Sequence, residues 1–97
     1  MNHNQELPIV VGITGASGAV YAQRLLEVLL QLGQQVQLVI SRSGQTLLRE
    51  ELRLEVDLER FSAADLKLNV DEDLLRAIRY YHFNNYFSPP ASGSART

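Results

Sequence analysis

The feature that most limits how this chain can fold is a five-residue run, Ile9-Val10-Val11-Gly12-Ile13, that contains no polar residue. A strand wetted on one face alternates apolar and polar side chains. An unbroken β-branched run instead suits a strand buried on both faces of a parallel sheet. Thr14-Gly15-Ala16-Ser17-Gly18 follows at once and, being small and glycine-rich, reads as a tight turn. From Ala19 the apolar spacing becomes helical: Val20, Leu25, Leu26, Leu29, Leu30 and Leu32 form a wide stripe, with Gln23, Arg24, Glu27 and Gln31 on the other side. Gly33 is the helix stop. Val36 to Ile40 is again short, apolar and β-branched, so it reads as a second strand. Strand, turn, helix and strand within about 32 residues make a βαβ unit with parallel strands and a right-handed crossover.

The rest of the chain is patterned more weakly. Gln45 to Leu54 holds good helix formers, with Leu47, Leu48 and Leu52 spaced for one face. Leu66 to Val70 reads as a brief strand. Asp71 suits a helix cap, with acidic residues in the first turn, and the helix is expected to run to about Tyr80. Ser88 to Thr97 has loop composition. Two or three strands make an unfinished parallel sheet with open edges. The expectation is therefore an α/β fold with a parallel sheet that either partners complete or that is cut from a longer protein, the cut being favoured.

Composition removes several classes of function. With 97 residues there is room for one small domain, or a piece of one, and no large enclosed site. A formal charge of −2 supplies no basic field for nucleic acid. No apolar run approaches the length that spans a bilayer. Met1 to Glu6 is polar and lacks the order of a signal peptide. Cysteine is absent, and His3 and His82 are too far apart in sequence to form a local ligand pair, so no metal site is expected. The default is a soluble cytoplasmic protein.

The chemistry concentrates at the first turn. A turn between strand and helix offers free backbone N–H groups at the positive end of the helix dipole, and glycine lets a phosphate come close to that backbone. Ser17 adds a hydroxyl at the helix mouth. The turn therefore reads as the cradle for the phosphate end of a nucleotide-type cofactor; a tight glycine turn without a ligand is the plainer alternative. The dinucleotide fingerprint G-x-G-x-x-G does not occur. The second strand ends in Ser41-Arg42, where an NAD site usually has an acid. Arg42 suits the 2′-phosphate of NADP or is simply a surface arginine. Ser41 lies at the carboxyl end of the neighbouring strand and can point at the same phosphate.

At these residues the chain resembles a known family. Residues 12–27, Gly-Ile-Thr-Gly-Ala-Ser-Gly-Ala-Val-Tyr-Ala-Gln-Arg-Leu-Leu-Glu, look like the opening of the UbiX/Pad-type flavin prenyltransferases. Leu38-Val39-Ile40-Ser41 resembles their second strand with its terminal serine, and Glu51 matches an active-site glutamate. Pro89-Pro90-Ala91-Ser92-Gly93-Ser94 resembles the loop before their third main strand.

The resemblance implies an FMN-binding Rossmann-like or flavodoxin-like α/β fold, a three-layer parallel sheet here truncated, with residues 1–97 the N-terminal portion of a single domain. It also implies transfer of dimethylallyl from its phosphate ester to reduced FMN. The prenylated flavin would serve UbiD-type decarboxylases, including those of ubiquinone biosynthesis, and the family forms dodecamers. Carried onto this sequence, Gly15, Ala16 and Ser17 would contact FMN, with Ser17 near the reacting face. Ser41 would contact the flavin phosphate, and Glu51 would sit near the prenyl donor and assist proton movements. By residue type alone Glu51 is an ordinary solvated helix residue beside Glu50. Ala91 to Ser94 would line the flavin pocket or a subunit contact, or form a plain surface loop.

The aromatic group Tyr80, Tyr81, Phe83, Tyr86 and Phe87 reads as packing rather than an isoprenoid site, and His82 as a loop histidine rather than a general base. The family's Pro-Cys-Ser-x-x-Thr motif, Lys-Glu-Arg-Arg stretch and late tyrosine do not occur here. The 97 residues alone are therefore expected to be inactive. The other readings are a related cysteine-decarboxylase-type flavoprotein, an NADP-binding reductase fragment using Arg42, and a non-catalytic FMN-binding or subunit-interaction remnant.

Overall fold

The computed structural model describes residues 7–16 and 18–84. Strands β1 (Ile9–Ile13), β2 (Val36–Ile40) and β3 (Ile78–His82) form one parallel sheet in the order β1-β2-β3. Helix α1 (Ala19–Gln31) makes the first crossover. Helix α2 (Arg42–Leu52) begins the second, which continues through two short 3-10 turns, Ala63–Leu66 and Glu72–Ala77. The expected βαβ unit is present with its strand limits unchanged. Gly33 stops α1 in the left-handed conformation, at φ 80°, where a side chain would be strained.

The register sets Val11, Leu38 and Tyr80 side by side, and likewise Ile13, Ile40 and His82. Parallel neighbours share a face, so one face of the sheet carries these residues. α1 packs against α2 and against the turn Glu72–Ala77. Leu26 and Leu30 of α1 and Leu48 of α2 join Val11, Ile13, Val36, Leu38, Ile40 and Leu66 in a continuous buried core. Each such aliphatic side chain stabilises the fold by roughly 1.5–3 kcal/mol when taken from water. The described residues thus build the sheet and one covering layer of the expected three. β1 is consequently not buried on both faces: Val11 and Ile13 are covered, while Val10 is half exposed.

Four local expectations change. α1 turns a different side inward. Ala19, Leu26, Glu27 and Leu30 are buried, whereas Val20, Tyr21, Leu25, Val28 and Leu32 are exposed. The polar residues Gln23 and Glu27 have inward partners: Gln23 Nε2 donates to the Leu66 carbonyl (2.9 Å), and Glu27 Oε2 accepts Asn69 N–H (2.8 Å).

Those same bonds explain why residues 66–70 form no strand, since α1 side chains take backbone groups that a sheet would have used. The second helix starts at Arg42 rather than Gln45, because the Ser41 side chain caps it. It ends at Leu52, where Arg53 turns left-handed (φ 58°) and Leu54 N–H returns to the Leu48 carbonyl (3.1 Å).

Last, the helix expected from Asp71 to Tyr80 is only the short 3-10 turn Glu72–Ala77, and residues 78–82 are β3. Asp71 stands at the cap position, but its side chain makes no cap bond. Ile-Arg-Tyr-Tyr-His is β-branched and aromatic, and the edge of β2 gives it a partner. His82 therefore ends a strand rather than sitting in a loop.

Candidate functional site

The two strand-to-helix junctions meet at the carboxyl ends of β1 and β2. Ser41 N–H donates to the Ile13 carbonyl (3.0 Å), extending the β1–β2 ladder by one bond. Ser41 Oγ accepts Gly44 N–H (3.0 Å), the cap that starts α2. Gly44 is the residue that lets this happen. A Cβ there would collide with the Ile13 carbonyl, so only glycine allows the first turn of α2 to lie on the end of β1. This close approach carries Ser43 to the glycine turn. Ser43 Oγ accepts Gly15 N–H (3.2 Å) and lies 2.9 Å from Ser41 Oγ. In return, a Cβ on Gly15 would stand 3.0 Å from Ser43 Cβ, so the turn needs a small residue there.

The far end of α2 completes the arrangement. Glu51 Oε1 accepts Ala19 N–H at 3.0 Å, at the start of α1. Gly18 precedes α1 with no side chain to cap it, and a carboxylate from the neighbouring helix supplies the missing acceptor beside the positive end of the dipole. Glu51 is exposed, yet it is fixed at the mouth of the glycine turn rather than projecting freely into solvent beside Glu50. Ala16 N–H is taken up locally by Thr14 Oγ1 (3.2 Å).

Gly15, Ala16, Ser41 and Glu51 therefore share one surface, the carboxyl edge of β1 and β2. Ser17, Tyr86, Phe87 and the stretch Ala91 to Ser94 lie outside the described residues. Ser43 was missed in the sequence, because starting the helix at Gln45 left it in a nondescript linker. Starting the helix at Arg42, with Ser41 as its cap, places Ser43 in the first turn.

This edge suits a phosphorylated ligand. The first N–H groups of a helix have no intrahelical partner. At α2 the serine cap takes that of Gly44, which leaves the N–H groups of Arg42 and Ser43 as donors beside the Ser43 hydroxyl. Arg42 is exposed at the same turn. A flavin phosphate would be held by these groups, and the residues present fit it. Among the described residues, no group of three His, Cys, Asp or Glu side chains is placed to hold a metal. No helix among them is long and apolar enough to cross a membrane.

The carboxyl end of β3 is different. His82 Nδ1 accepts Asn84 N–H (3.1 Å), so Nε2 carries the proton that reaches Glu59 Oε2 (2.8 Å). Asp57 Oδ1 accepts the N–H groups of Glu59 (2.8 Å) and Arg60 (3.1 Å), and these bonds hold its carboxyl below the ordinary aspartate range. Tyr80 stacks on Phe61 with centroids 4.4 Å apart and donates its hydroxyl to the Leu58 carbonyl (2.9 Å). Burial, then the charges of Glu59 and Asp57, raise the Tyr80 phenol above its ordinary value. Tyr80 is packing, as its residue type suggested.

Arg42, Gln45, Asp57 and His82 border a cleft of about 240 Å³ between the two ends. A somewhat larger cleft, about 320 Å³, opens between the amino ends of β2 and β3 beside Gln35, Arg76 and Arg79. It lies at the opposite end of the sheet from the free donors. The site is marked by donor geometry, not by cleft volume.

Known proteins resemble this chain over most of its length. A family described as Flavoprotein matches residues 1–87. The flavin prenyltransferase UbiX of Methanocaldococcus jannaschii is 42% identical over 88 residues, covering 91% of this chain and 40% of that protein. The flavin prenyltransferase UbiX of Halalkalibacterium halodurans is 38% identical over 87 residues, covering 87% of this chain and 39% of its own length. That of Pseudomonas aeruginosa is 31% identical over 87 residues, covering 90% and 42%. The chain spans about two fifths of the length of these relatives.

Proposed function

The chain belongs to the flavoprotein family, and we propose that it is the N-terminal, FMN-binding portion (residues 1–97) of a single-domain flavin prenyltransferase. The observation that carries this reading is the network joining Gly15, Ser43 and Ser41, with Glu51 at the adjoining helix mouth. The polarity of the ligand follows from which donors are free. Ala19 N–H is already paired with the Glu51 carboxylate, and a phosphate there would meet a negative group. The phosphate end is therefore assigned to Ser41 and the start of α2, and the ring system to Gly15, Ala16, Ser17 and the Glu51 side.

Reduced FMN, when bound, supplies the nucleophilic ring that accepts a dimethylallyl group from dimethylallyl phosphate. The chain's own residues bind and orient. Ser41 and the first N–H groups of α2 hold the phosphate end. Gly15 and Ala16 present backbone with no large side chain in the way, and by the resemblance Ser17 would act near the reacting face. Glu51 has Oε1 fixed by Ala19 N–H, which leaves Oε2 as the oxygen that exchanges a proton with the ligand.

The same reading brings a cytoplasmic homo-oligomer, a dodecamer by the resemblance, and a UbiD-type decarboxylase of ubiquinone biosynthesis or a similar pathway as recipient of the product. The exposed apolar side chains Tyr21, Leu25 and Val28 of α1, with Leu32 just beyond its end, support burial against a further surface.

Titration with FMN and NADPH tests the assignment. FMN is expected to bind and NADPH to compete poorly; tight NADPH binding without FMN binding would overturn it in favour of an Arg42 reductase site. In a full-length version, Glu51→Gln is expected to keep FMN bound and to slow prenyl transfer. Unchanged turnover would remove Glu51 from the mechanism.

A further inference from the structure

We propose that the open edge of β1 and the adjoining side of α1 form a docking surface for a second copy of this chain, joined by antiparallel β1 pairing across a twofold axis. The proposal rests on the sheet and α1 and is independent of the flavin reading above. β1 is the outer strand of the β1-β2-β3 order, and among the described residues no strand pairs with its far side. Ile9 N–H donates to the Gln35 carbonyl, and the Ile13 carbonyl accepts Ser41 N–H. The odd-numbered residues of β1 therefore bond inward to β2, and the N–H and C=O groups of Val10 and Gly12 point out of the sheet. Such an edge is a template for another strand unless charge, proline or a bulge blocks it. Leu7 to Thr14 contains no charged residue, whereas the other edge strand, β3, carries Arg79 and His82.

The side of α1 above this edge calls for the same kind of partner. Gln23 and Glu27 turn toward Leu66 and Asn69. The opposite side carries Ala22, Leu25, Leu29 and Leu32, at intervals of three, four and three residues. That is the seam spacing of two packed helices. Here the seam is only partly covered: Leu25 and Leu32 are exposed, and Ala22 and Leu29 are half-buried. A partner for this corner must bring a strand and a helix together, in the relative placement that β1 and α1 themselves have.

A second copy does so by symmetry. With the twofold at Val11, the outward groups of Val10 in one copy pair with those of Gly12 in the other. Nothing lies within 4 Å of the place a Cβ on Gly12 would take, which leaves room for the neighbouring Val10 side chain. Centring the axis on Val10 instead would set Gly12 against Pro8, which has no N–H to give. An axis perpendicular to the sheet keeps both α1 helices on one face. Because α1 joins β1 to β2, the two helices stand two strand spacings apart, about 10 Å, the distance at which helices pack. No carboxylate lies on the seam, and the nearby Arg24 is paired with Glu27 (3.6 Å), so identical copies meet there without opposing like charges.

Molar mass in solution and amide exchange test the proposal. Wild type is expected to run at twice its chain mass of 10.9 kDa, with the Val10 and Gly12 amides protected like the inward Val11 amide. Val10→Lys charges the edge and Leu25→Glu charges the seam. Each should halve the mass and expose those two amides while Val11 stays protected. Val20→Glu charges a more exposed residue one heptad before Glu27, on another side of α1, and should leave the dimer intact.

A wild type that stays monomeric up to about 100 µM would overturn the proposal and leave the edge to a strand of another protein. So would a dimer whose Val10 and Gly12 amides exchange freely, or one that Val20→Glu dissociates as fully as Leu25→Glu does. Masses that grow without limit would mean β1 pairing with β3 of the next copy, an open head-to-tail assembly that excludes the twofold. The amide pattern is read on wild type, so it decides the matter even where a variant fails to fold. None of these outcomes depends on flavin binding.

Discussion

The carboxyl ends of β2 and β3 lie side by side in one sheet, yet they use their polar groups in opposite ways. At β2 the serine cap and the glycine turn leave donors over: the N–H groups of Arg42 and Ser43 lack helical partners. At β3 the polar groups close on one another. Tyr80 is bonded to Leu58, His82 to Glu59 and Asn84, and Asp57 to two backbone N–H groups of its own turn. The difference lies in what each strand leads into. β2 runs directly into a helix, whose first turn always has surplus donors, whereas β3 is met by a folded-back loop whose side chains satisfy it. Substitutions at the first end should therefore change ligand binding, and those at the second only stability.

The largest expected effect is at Gly44, where the open end is built. Gly44→Val puts a branched side chain into the Ile13 carbonyl and should cost about 3 kcal/mol or more, since backbone cannot yield as a side chain does. Chemical denaturation measures the loss, and FMN binding should fall with it. A stable Gly44→Val protein that bound FMN normally would break the contrast, because the approach of α2 to β1 would then not be what creates the site.

Smaller and more selective are the two capping residues. Ser41→Ala removes the cap of α2 and should destabilise by about 1 kcal/mol, with FMN affinity reduced more than riboflavin affinity. Glu51→Ala removes the borrowed cap of α1 at a similar cost of about 1 kcal/mol. It should leave the phosphate contribution, the ratio of FMN to riboflavin affinity, unchanged. Denaturation and paired titrations on the two variants sharpen which helix mouth holds the phosphate. A loss of that ratio in Glu51→Ala but not in Ser41→Ala would reverse the proposed polarity.

At the closed end, Tyr80→Phe deletes one hydrogen bond to Leu58 and should cost about 1 kcal/mol without moving FMN affinity. The alkaline limb gives a second reading. Tyr80 has its folded value raised by burial and by the Glu59 and Asp57 charges. Its contribution is present below the ordinary tyrosine value and is lost as pH rises through the folded one. Wild type should therefore lose stability more steeply than Tyr80→Phe above about pH 10. Parallel alkaline denaturation curves would mean that the phenol is not held in the packed, neutral state.

The same contrast explains what the sequence made legible. β1, α1 and β2 could be bounded from pattern alone, because the β-branched runs and Gly33 act locally. Ser41 could be placed from its position at the end of β2, but Glu51 was found only through resemblance: nothing local tells that residue 51 will reach Ala19 N–H, since that depends on how α2 crosses α1. Ser43 was invisible until the helix was seen to begin at Arg42. β3 was mistaken for a helix because Asp71, Glu72 and Asp73 resemble a helix start, while its pairing with β2 is a long-range contact that no local pattern records. The side of α1 that turns inward was misassigned for a related reason. Glu27 is buried and Gln23 half-buried because loop residues Asn69 and Leu66 need partners there, a demand that lies far along the chain.

The smallest effect is expected at Asp57, and it tests the closed end most directly. Asp57 accepts two backbone N–H bonds, and these hold its carboxyl below the ordinary value of 3.8. A lowered carboxylate contributes stability that is present above its unfolded value and lost as pH falls through the folded one. Asp57→Asn keeps an oxygen for the same two N–H groups but cannot titrate. It should be slightly less stable than wild type near neutrality, because bonds to a charged acceptor are the stronger. The two proteins should converge below the folded value, giving the variant the shallower acid limb, while FMN affinity at pH 7 is identical. If Asp57→Asn instead altered flavin binding, the cleft that Asp57 shares with Arg42 and His82 would have to count as part of the open end, and the division between the two strand ends would move one strand further along the sheet.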